Sequence, residues 1–542
     1  MHHHLSEVRF NLVADSISLA YGCRVDHVSG WLEKGDSLNK EIITKSGSSR
    51  RRFLQGLAGT AVVVGWSPLA QSWVTDPTMC DFTELPPLDG ELRTDPTTRA
   101  TFADDFGNIV SREPCAVLVS GSVEDIVRIV RFARRHGLRV ATNGQSGTPD
   151  LRESHSNFGQ AQVKTGVVID AKPLSSIRRI NTDSAVVEAG VLWSQLFDAA
   201  VERGLTPPVL TDYMHLSIGG TLSVGGIGGS TSRFGVQADN VLALKVVTGE
   251  GNLVTCSPTQ SPNLFHAVLA GVGQCGIIVG AKIRLIAAET MAMVFNLFYD
   301  DLSLYLQDQL TLLADRRFNY LEGQIVRNAT DTGWRYMIEA AAYFTPPAAP
   351  DSVALLTGLH DNRPEARITP QTYRDFAFRI DSIVGSLKAI GRWTTSHPWV
   401  SLFIPASKTA GFISNLVATL TPEDLGVLAP GVLGPALLYP FNTNLTRQRL
   451  FRVPNKPAAF HLSLLRFPPS DPAQVAAMLA QNRALYDQAV TLGGKRYVIG
   501  AIPNFTHADW QQHFQLEWNF LINAKNHFDP DNVLTPGQGI FH

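Results

Sequence analysis

The chain of 542 residues is 44% hydrophobic and 17% charged, a composition that is typical of globular proteins and excludes disordered and fibrous classes. Its formal net charge of −2 gives no electrostatic reason to expect a nucleic-acid partner, and its length predicts at least two lobes. The five cysteines are odd in number and include no CxxC pair, so neither a metal site nor a fully paired disulfide framework is predicted.

Residues 1–74 are predicted to be an N-terminal extension with an export signal. The run Arg50-Arg51-Arg52-Phe53-Leu54 resembles a twin-arginine signal, and a weakly hydrophobic run at residues 57–64 follows it. A membrane anchor is the alternative, but this run is shorter than the roughly 20 residues that a span needs. We therefore expect a periplasmic or secreted protein without a stable membrane anchor, exported folded and with any cofactor in place.

From residue 115 onward, strand and helix patterns alternate. Residues 115–121 predict a buried strand, and residues 122–137 predict an amphipathic helix that Ser122 caps, with Asp125 at the capping-box position and Gly137 at its end. Further strands are predicted at LRVATNG, GVVIDAKPL, AVVEAGVLW and GIIVGAKIRLI, a hairpin at VLALKVVTGEGNLVTC, and helices at WSQLFDAAVERG and NLFHAVLAG. This α+β lobe closes near residue 288.

A different pattern follows from residue 289 to about residue 494 and predicts a second lobe with an antiparallel sheet. The segments MAMVFNLFYD, YLEGQIVRN and AFHLSLLRF are interpreted as edge strands, and DPAQVAAMLAQNRALYDQAVTLG as a helix. The tail, residues 495–542, contains two helical stretches and a Pro/Gly turn.

The segment GVGQCG at residues 271–276 satisfies the GxGxxG pattern. A dinucleotide fingerprint needs a strand before the glycines and a helix after them. Here a helix precedes the segment and a strand follows it, so we interpret these glycines as a helix end and a tight turn.

Seven glycines lie within TDYMHLSIGGTLSVGGIGGSTSRFG, residues 211–235, interleaved with large apolar side chains. Flexible linkers lack such side chains. Two interpretations remain: bare backbone approaches a large flat or anionic ligand and binds it through N–H groups, or the loop packs tightly without a ligand.

This stretch closely resembles the flavin lobe of the cytokinin dehydrogenase family, FAD-linked oxidases of the vanillyl-alcohol-oxidase superfamily. The resemblance extends to RFGVQADNVLALKVVTGEGNLVTCS, LFHAVLAGVGQCGIIVGAKIRL, YLEG at residues 320–323 and the closing WNFLINAKNHFDPDNVLTPGQGIF. It covers roughly residues 88–542. It implies a two-lobed α+β fold, with a discontinuous FAD-binding lobe at 88–288 and 495–542 and a substrate lobe at 289–494.

The same resemblance implies functional residues. It assigns FAD contacts to Gly144, Ser156, Gln160, Asp212, Ser217, Ser223, Ile227, Ile278 and Gln538. Asp212 also matches a catalytic aspartate that accepts a hydrogen bond from the substrate's reacting amine as hydride leaves the adjacent carbon. Glu322 matches a glutamate that holds the substrate's purine ring at the mouth of the site. From the residues alone, a loop cap and a solvated strand residue are the alternatives.

His155 resembles a histidine that carries FAD covalently, and an imidazole nitrogen is a suitable nucleophile for the flavin. The family has a compact Arg-Gly-x-Gly-His run, whereas here SGTPDLRES separates Gly144-Gln145 from His155. Glu153 therefore lies in the approach, where a carboxylate would repel a pyrophosphate unless it turned outward. Non-covalent FAD and an ordinary loop histidine are the alternatives.

The implied activity is oxidation of the bond between the N6 nitrogen and the first side-chain carbon of an N6-substituted adenine. The imine product hydrolyses to adenine and an aldehyde, and electrons pass to a quinone-like acceptor or to oxygen. One alternative is an oxidase of the same superfamily that acts on an alcohol, polyol or lactone. A second is an exported flavin-binding protein without turnover. We expect a monomer with small-molecule partners.

Overall fold

The computed structural model describes residues 80–144, 153, 158–328, 330, 332–429 and 432–541, together with strands β1 (Val63–Ser67) and β2 (Ser72–Thr75), which pair antiparallel. The rest of the predicted export signal lies outside the described residues, as do residues 145–152 and 154–157. Among the described helices, none combines the length and the apolar character needed to cross a bilayer.

The first sheet has four strands in the order β3-β4-β6-β5, and β4, β6 and β5 run parallel. Its strands are β3 (Glu91–Arg93), β4 (Ala116–Val119), β5 (Val140–Asn143) and β6 (Val167–Asp170). Its helices are Pro96–Thr101 and Val123–His136. A disulfide joins Cys80 to Cys115, directly before β4, whereas Cys256 and Cys275 are free and buried.

The helix Val123–His136 has the predicted ends. Ser122 accepts a hydrogen bond from the backbone N–H of Asp125, and Gly137 ends the helix with φ +65°. The Asp125 carboxylate does not close the capping box on Ser122. Instead it accepts hydrogen bonds from the backbone N–H groups of Asp89, Gly90 and Gly121. The helix is amphipathic as predicted, and four residues of its apolar face are fully buried: Ile126, Ile129, Val130 and Ala133.

The second sheet has five antiparallel strands in the order β11-β10-β12-β8-β7, and β9 pairs separately with β13. The strands are β7 (Ile177–Ile180), β8 (Ser184–Glu188), β9 (Leu205–Thr206), β10 (Val241–Val247), β11 (Leu253–Cys256), β12 (Ile277–Arg284) and β13 (Ile286–Ala287). The helices are Trp193–Val201, Ile218–Val224, Thr231–Phe234 and Pro262–Val268. The GVGQCG segment therefore lies between a helix and β12, which confirms that it is not a dinucleotide fingerprint.

The third sheet has eight antiparallel strands in the order β17-β14-β16-β15-β21-β22-β18-β23, and β19 pairs with β20. The strands are β14 (Met291–Tyr299), β15 (Tyr320–Arg327), β16 (Trp334–Phe344), β17 (Arg367–Thr372), β18 (Val400–Pro405), β19 (Val427–Ala429), β20 (Val432–Leu433), β21 (Ala436–Asn442), β22 (Ala458–Leu464) and β23 (Lys495–Arg496). The helices are Leu302–Asp315, Ser352–Leu356, Tyr373–Ala377, Asp381–Ala389, Ala406–Val417, Pro422–Leu425 and Pro472–Thr491.

The interpretation of β14, β15 and β22 as edge strands is wrong, because each has a neighbour on both sides. Their alternating pattern has another cause. One face of the sheet packs its apolar side chains against the helices Leu302–Asp315, Ala406–Val417 and Pro472–Thr491. The opposite face carries polar side chains that lie inside the molecule. A strand can therefore alternate apolar and polar side chains even though neither of its faces is exposed to water.

The C-terminal residues return to the first sheet. Val140 of β5 donates its N–H to the carbonyl of Val533 and accepts from the N–H of Thr535, both at 2.8 Å. The two tail helices are His507–Phe514 and Trp518–Phe528, and 3-10 turns cover Gln237–Asn240, Arg363–Glu365, Thr443–Leu445, Gln515–Glu517 and Pro536–Gln538. β23 belongs to the large sheet, although both of its residues fall in the predicted tail.

Candidate active site

A row of polar side chains crosses the inner face of the eight-stranded sheet. Glu322 of β15 lies directly opposite Glu339 of β16. The register of β15 with β21 brings Tyr439 level with Glu322, and Tyr439 lies opposite His461 of β22. We call Glu339, Glu322, Tyr439 and His461 the inner row. All four belong to the face opposite the one that packs against the helices Leu302–Asp315, Ala406–Val417 and Pro472–Thr491.

Asp212 reaches this row from the loop that precedes the helix Ile218–Val224. Tyr320 donates its hydroxyl proton to Asp212 Oδ1 at 2.7 Å, and Arg379 Nη2 donates to the same oxygen at 2.8 Å. Both partners are distant in sequence, which is not the local pattern of a loop cap. The carboxylate therefore belongs to a cluster formed between the two lobes.

Arg379 fixes two carboxylates at once. Its Nε donates to Glu339 Oε1 at 2.6 Å, while its Nη2 holds Asp212 and also contacts the Tyr320 hydroxyl. Burial alone would lower the pKa of Arg379, but the negative charges of Glu339 and Asp212 raise that pKa well above its usual range. The guanidinium is therefore a permanent positive charge beside Asp212.

Glu322 is 3% exposed, and its Oε1 has no hydrogen-bond partner among the described residues. Burial, and then the negative charge of Asp212, raise the pKa of Glu322 well above its usual range. The protonated form of the carboxyl, which can donate a hydrogen bond, is therefore favoured relative to an exposed glutamate. The burial of Glu322 excludes the solvated strand residue.

The structure brings together four of the predicted FAD contacts in two pairs. Gly144 packs so closely on Ser217 that an added Cβ would lie 2.0 Å from the Ser217 Oγ. Gln160 Nε2 donates to the carbonyl of Val498 at 2.9 Å, and Gln538 Nε2 approaches the same carbonyl at 3.4 Å. The loop that follows His155 in the sequence and the C-terminal tail thus meet at one backbone oxygen.

These groups fit the polar part of a flavin dinucleotide. Gln538 Oε1 and Thr142 Oγ1 are buried without a hydrogen-bond partner among the described residues. Thr142 lies on β5, just before Gly144 at the carboxyl end of the strand, where ligands of parallel sheets bind. The Thr142 hydroxyl and backbone N–H groups can donate to phosphate or ring oxygens, and Gln538 Oε1 can accept from a ribose hydroxyl or a ring N–H. The residues therefore fit FAD.

The other predicted contacts are less informative. Ser223 donates its hydroxyl to the carbonyl of Gly219 at 2.8 Å, within its own helix. Ile278 is buried on β12 and Ile227 is half-buried against the same core. His155 and Ser156 lie outside the described residues, so their assignment stays a prediction.

The glycines of residues 211–235 pack against protein atoms. Six of the seven have no room for a side chain, because an added Cβ would meet a neighbour within 2.8 Å. These close contacts are Gly219 to Ala189, Gly225 to Phe451, Gly226 to Gln237, Gly228 to Leu210, Gly229 to Tyr320 and Gly235 to Asp239. The Cβ side of these six glycines thus faces protein atoms, and contact of their backbone with FAD stays a prediction. Tight packing requires them, and it brings Gly229 against Tyr320 of the Asp212 cluster.

Glu153 forms an ion pair with the second lobe. Its Oε1 accepts from Lys388 Nζ at 2.6 Å, and its Oε2 accepts from the hydroxyl of Tyr213. Lys388 belongs to the helix Asp381–Ala389 of the second lobe. The charge of this carboxylate is therefore offset by a neighbouring cation.

Sequence reasoning missed the residues that organise the cluster. Arg379 lies in the segment DFAFRID, where no pattern marks it. Tyr439 and His461 could have been found from alternation alone, because YLEGQ, LLYPF and AFHLS each place polar residues on one strand face.

Comparison with known proteins gives matches along both lobes. A sequence profile described as "FAD binding domain" matches residues 114–257, and one described as "Cytokinin dehydrogenase 1, FAD and cytokinin binding" matches residues 327–541. The α+β fold and the FAD-binding domain define an FAD-dependent oxidoreductase of the vanillyl-alcohol-oxidase superfamily.

Three similar proteins indicate the family within this superfamily. "Uncharacterized oxidoreductase ORF5 in fasciation locus" of Rhodococcoides fascians is 38% identical and aligns with 83% of this chain and 99% of its own length. "Cytokinin dehydrogenase 1" of Oryza sativa subsp. japonica is 33% identical, covering 84% of this chain and 92% of the relative. "Cytokinin dehydrogenase 2" of Arabidopsis thaliana is 32% identical, covering 83% and 93%. The chain belongs to the cytokinin dehydrogenase family.

Proposed function

We propose that this FAD-dependent oxidoreductase cleaves the side chain of N6-substituted adenines. The observation that carries the proposal is a pair of carboxyls on one site, half-buried Asp212 paired with a permanent cation and buried Glu322 with a raised pKa. Such a pair offers one acceptor and one donor at fixed positions, which suits a substrate with an amine N–H and a ring nitrogen. The names of the matching profile and of the plant relatives support the same substrate class.

Asp212 is the residue that acts on the reacting amine. Tyr320 and Arg379 both use its Oδ1, and we assign Oδ2 to the substrate N–H. FAD, when bound, supplies the acceptor for the hydride that leaves the carbon beside this nitrogen. Asp212 takes the proton from the nitrogen, so that the C–N single bond becomes an imine. Water then adds to the imine carbon and releases adenine and an aldehyde.

Glu322 orients the purine. Its protonated carboxyl donates to a ring nitrogen, and the burial that raises its pKa also keeps water away. The distance between donor and acceptor is fixed by strand β15 and by Arg379, which is how a site positions a substrate without flexible loops.

The test is anaerobic reduction of the bound flavin in the purified holoprotein. N6-isopentenyladenine should bleach the flavin absorbance, whereas sugar alcohols and an aldonolactone precursor at the same concentration should leave it unchanged. Adenine and an aldehyde should appear in equal amounts after reoxidation by a quinone. Bleaching by the alcohols and not by the adenine would assign the protein to the rival group of oxidases. No bleaching by any compound would favour a binding protein without turnover.

Covalent attachment of FAD through His155 is part of the proposal. The ion pair of Glu153 with Lys388 supports it, since the cation offsets the negative charge that would otherwise repel a pyrophosphate. Acid precipitation of the purified protein should leave the yellow colour in the pellet, and H155A should release it to the supernatant. Colour in the supernatant of the unchanged protein would mean that FAD is bound without a bond.

Export is proposed from the basic run at residues 50–54 and supported by the disulfide between Cys80 and Cys115, because disulfides persist in oxidising compartments. Expression of the full-length protein in a bacterial host with a twin-arginine pathway should yield periplasmic flavoprotein. Replacing Arg50 and Arg51 by lysine should retain it in the cytoplasm. Equal distribution of both proteins would contradict export by this route. We propose a monomer as the exported form.

A further inference from the structure

His461 is the inner-row residue that the proposed mechanism does not use. It is 3% exposed, and both of its ring nitrogens lack a hydrogen-bond partner among the described residues. More than nine in ten buried polar groups in native proteins have such a partner. Two unpaired nitrogens on one buried ring therefore indicate a bound group that supplies the missing hydrogen bond.

The surroundings of His461 are aromatic. Its ring centroid lies 5.0 Å from that of Tyr439, 5.2 Å from Phe403 and 6.2 Å from Tyr497. Burial lowers the pKa of His461 to about 3, and the charge of Asp212 opposes this only in part. The imidazole is therefore neutral and offers one N–H donor and one nitrogen acceptor, the pair that a hydroxyl group complements.

The position of His461 in the inner row indicates which part of a substrate it meets. Neighbouring strands are about 4.8 Å apart, so the backbone of His461 lies about 10 Å from that of Glu322, with Tyr439 between them. On the other side, the Tyr497 hydroxyl contacts the N–H of Gly226 in the glycine-rich segment. His461 thus lies between the Asp212 cluster and the FAD-binding lobe.

A substrate held by the proposed contacts brings its N6 substituent close to this part of the inner row. The amine lies at Asp212, whose charge acts on both Tyr439 and His461. The substituent on that amine is therefore within reach of these two side chains, which lie opposite each other on neighbouring strands.

We propose that His461 hydrogen-bonds a hydroxyl on the N6 substituent of the substrate and makes the enzyme prefer hydroxylated substituents to hydrocarbon ones. This inference rests on the proposed function. A hydrocarbon substituent leaves both imidazole nitrogens unpaired, whereas a terminal hydroxyl satisfies at least one of them. His461 is thus a specificity residue, distinct from Asp212 and Glu322, which hold groups common to all N6-substituted adenines.

The experiment compares two substrates in four holoproteins. The substrates are N6-isopentenyladenine and its analogue with a terminal hydroxyl on the N6 substituent. The proteins are wild type, H461L, H461Q and the control S463A. Ser463 lies on the same face of β22, but its hydroxyl is already paired with Ser401 at 2.7 Å. Anaerobic flavin reduction at several substrate concentrations gives an apparent dissociation constant and a limiting rate for each pair.

H461L should lower kcat/KM for the hydroxylated substrate about tenfold, the size of one hydrogen bond of about 1.4 kcal/mol, chiefly through weaker binding. Its kcat/KM for the hydrocarbon substrate should stay within about twofold, because that substrate loses no hydrogen bond. H461Q should restore most of the preference, and S463A should keep all of it.

An unchanged ratio between the two substrates in H461L would overturn the inference. The same holds if H461L shifts the flavin absorbance or its redox potential without changing the ratio, since His461 would then contact the cofactor. Failure of the proposed function would be recognised separately, because wild type would then be reduced by neither adenine.

Discussion

The two faces of the eight-stranded sheet differ in what their side chains do. On the outer face, Leu438, Phe460 and Leu462 are at most 1% exposed and pack against helices. On the inner face, their neighbours in the sequence, Tyr439 and His461, lie in the row with Glu322. Adjacent residues of one strand thus belong to a hydrophobic core and to a candidate active site.

The two faces make opposite contributions to the free energy of folding. Each fully buried leucine on the outer face stabilises the fold by about 2 kcal/mol. Burying the carboxyl of Glu322 and leaving the His461 nitrogens unpaired is unfavourable, by about 1 to 3 kcal/mol for each unsatisfied group. The apolar contacts of the outer face therefore offset the unfavourable burial of polar groups on the inner face. The comparison teaches that substitutions on the two faces should have separable effects.

The largest expected effect on the inner side is that of D212N. Loss of the carboxylate removes the acceptor for the amine proton, so the limiting rate of flavin reduction by N6-isopentenyladenine should fall about 10²- to 10⁴-fold. Asp198, whose exposed carboxylate pairs with Arg374 at 2.9 Å, provides the control D198N, which should retain the rate. A rate for D212N within tenfold of wild type would contradict a catalytic role and remove the functional distinction between the faces.

L462A tests the outer face one residue away from His461. The cavity should lower the free energy of unfolding by about 2 to 5 kcal/mol, measured by urea unfolding followed by circular dichroism. The kcat/KM per folded molecule should be unchanged at a temperature well below the transition. If L462A altered substrate preference while stability stayed constant, the two faces would not be independent.

E322Q should reveal the protonation of the inner row. Burial first, and then Asp212, hold the pKa of Glu322 well above its usual value of 4.5. Between pH 4.5 and that raised pKa, the folded protein binds more protons than the unfolded protein. The free energy of unfolding therefore falls as pH rises through this range. The amide does not titrate. The melting temperature of wild type should therefore fall relative to that of E322Q as pH is raised from 4.5, measured by scanning calorimetry. Parallel curves of melting temperature against pH would mean that folding does not raise the pKa of Glu322, so that its carboxyl is ionised in the folded protein.

The smallest effect on stability and kinetics is expected from K388M. Lys388 belongs to the second lobe and pairs with Glu153. The pair is 21% and 19% exposed, so its loss should cost about 1 kcal/mol or less. We expect KM to rise by no more than about fivefold, which that energy permits, with an unchanged limiting rate. In E153Q the further change K388M should have little effect, since the interaction is already lost. A drop in the limiting rate would extend the catalytic region beyond the inner row.

Local patterns predicted much of the FAD-binding lobe. The helix Val123–His136 is predicted with both ends, because Ser122 and Gly137 act within one turn of the backbone. The hairpin between β10 and β11 is predicted for the same reason, since a short turn fixes its register. The glycine-rich segment is predicted as a place of close approach. The protein atoms that approach it are not predicted, because Phe451 and Tyr320 come from distant parts of the sequence.

The sequence by itself determined the α+β class, the alternation of the strands and, through its resemblance to a family, Asp212 and Glu322. Those features depend on residues close together in the sequence or on motifs that stay together. Only the tertiary structure decided that β15 and β22 are central strands, that Arg379 joins Asp212 to Glu339, and that His461 lies in line with Glu322. Each of these depends on contacts between segments distant in sequence, and no local spacing encodes which strand will become the neighbour of another.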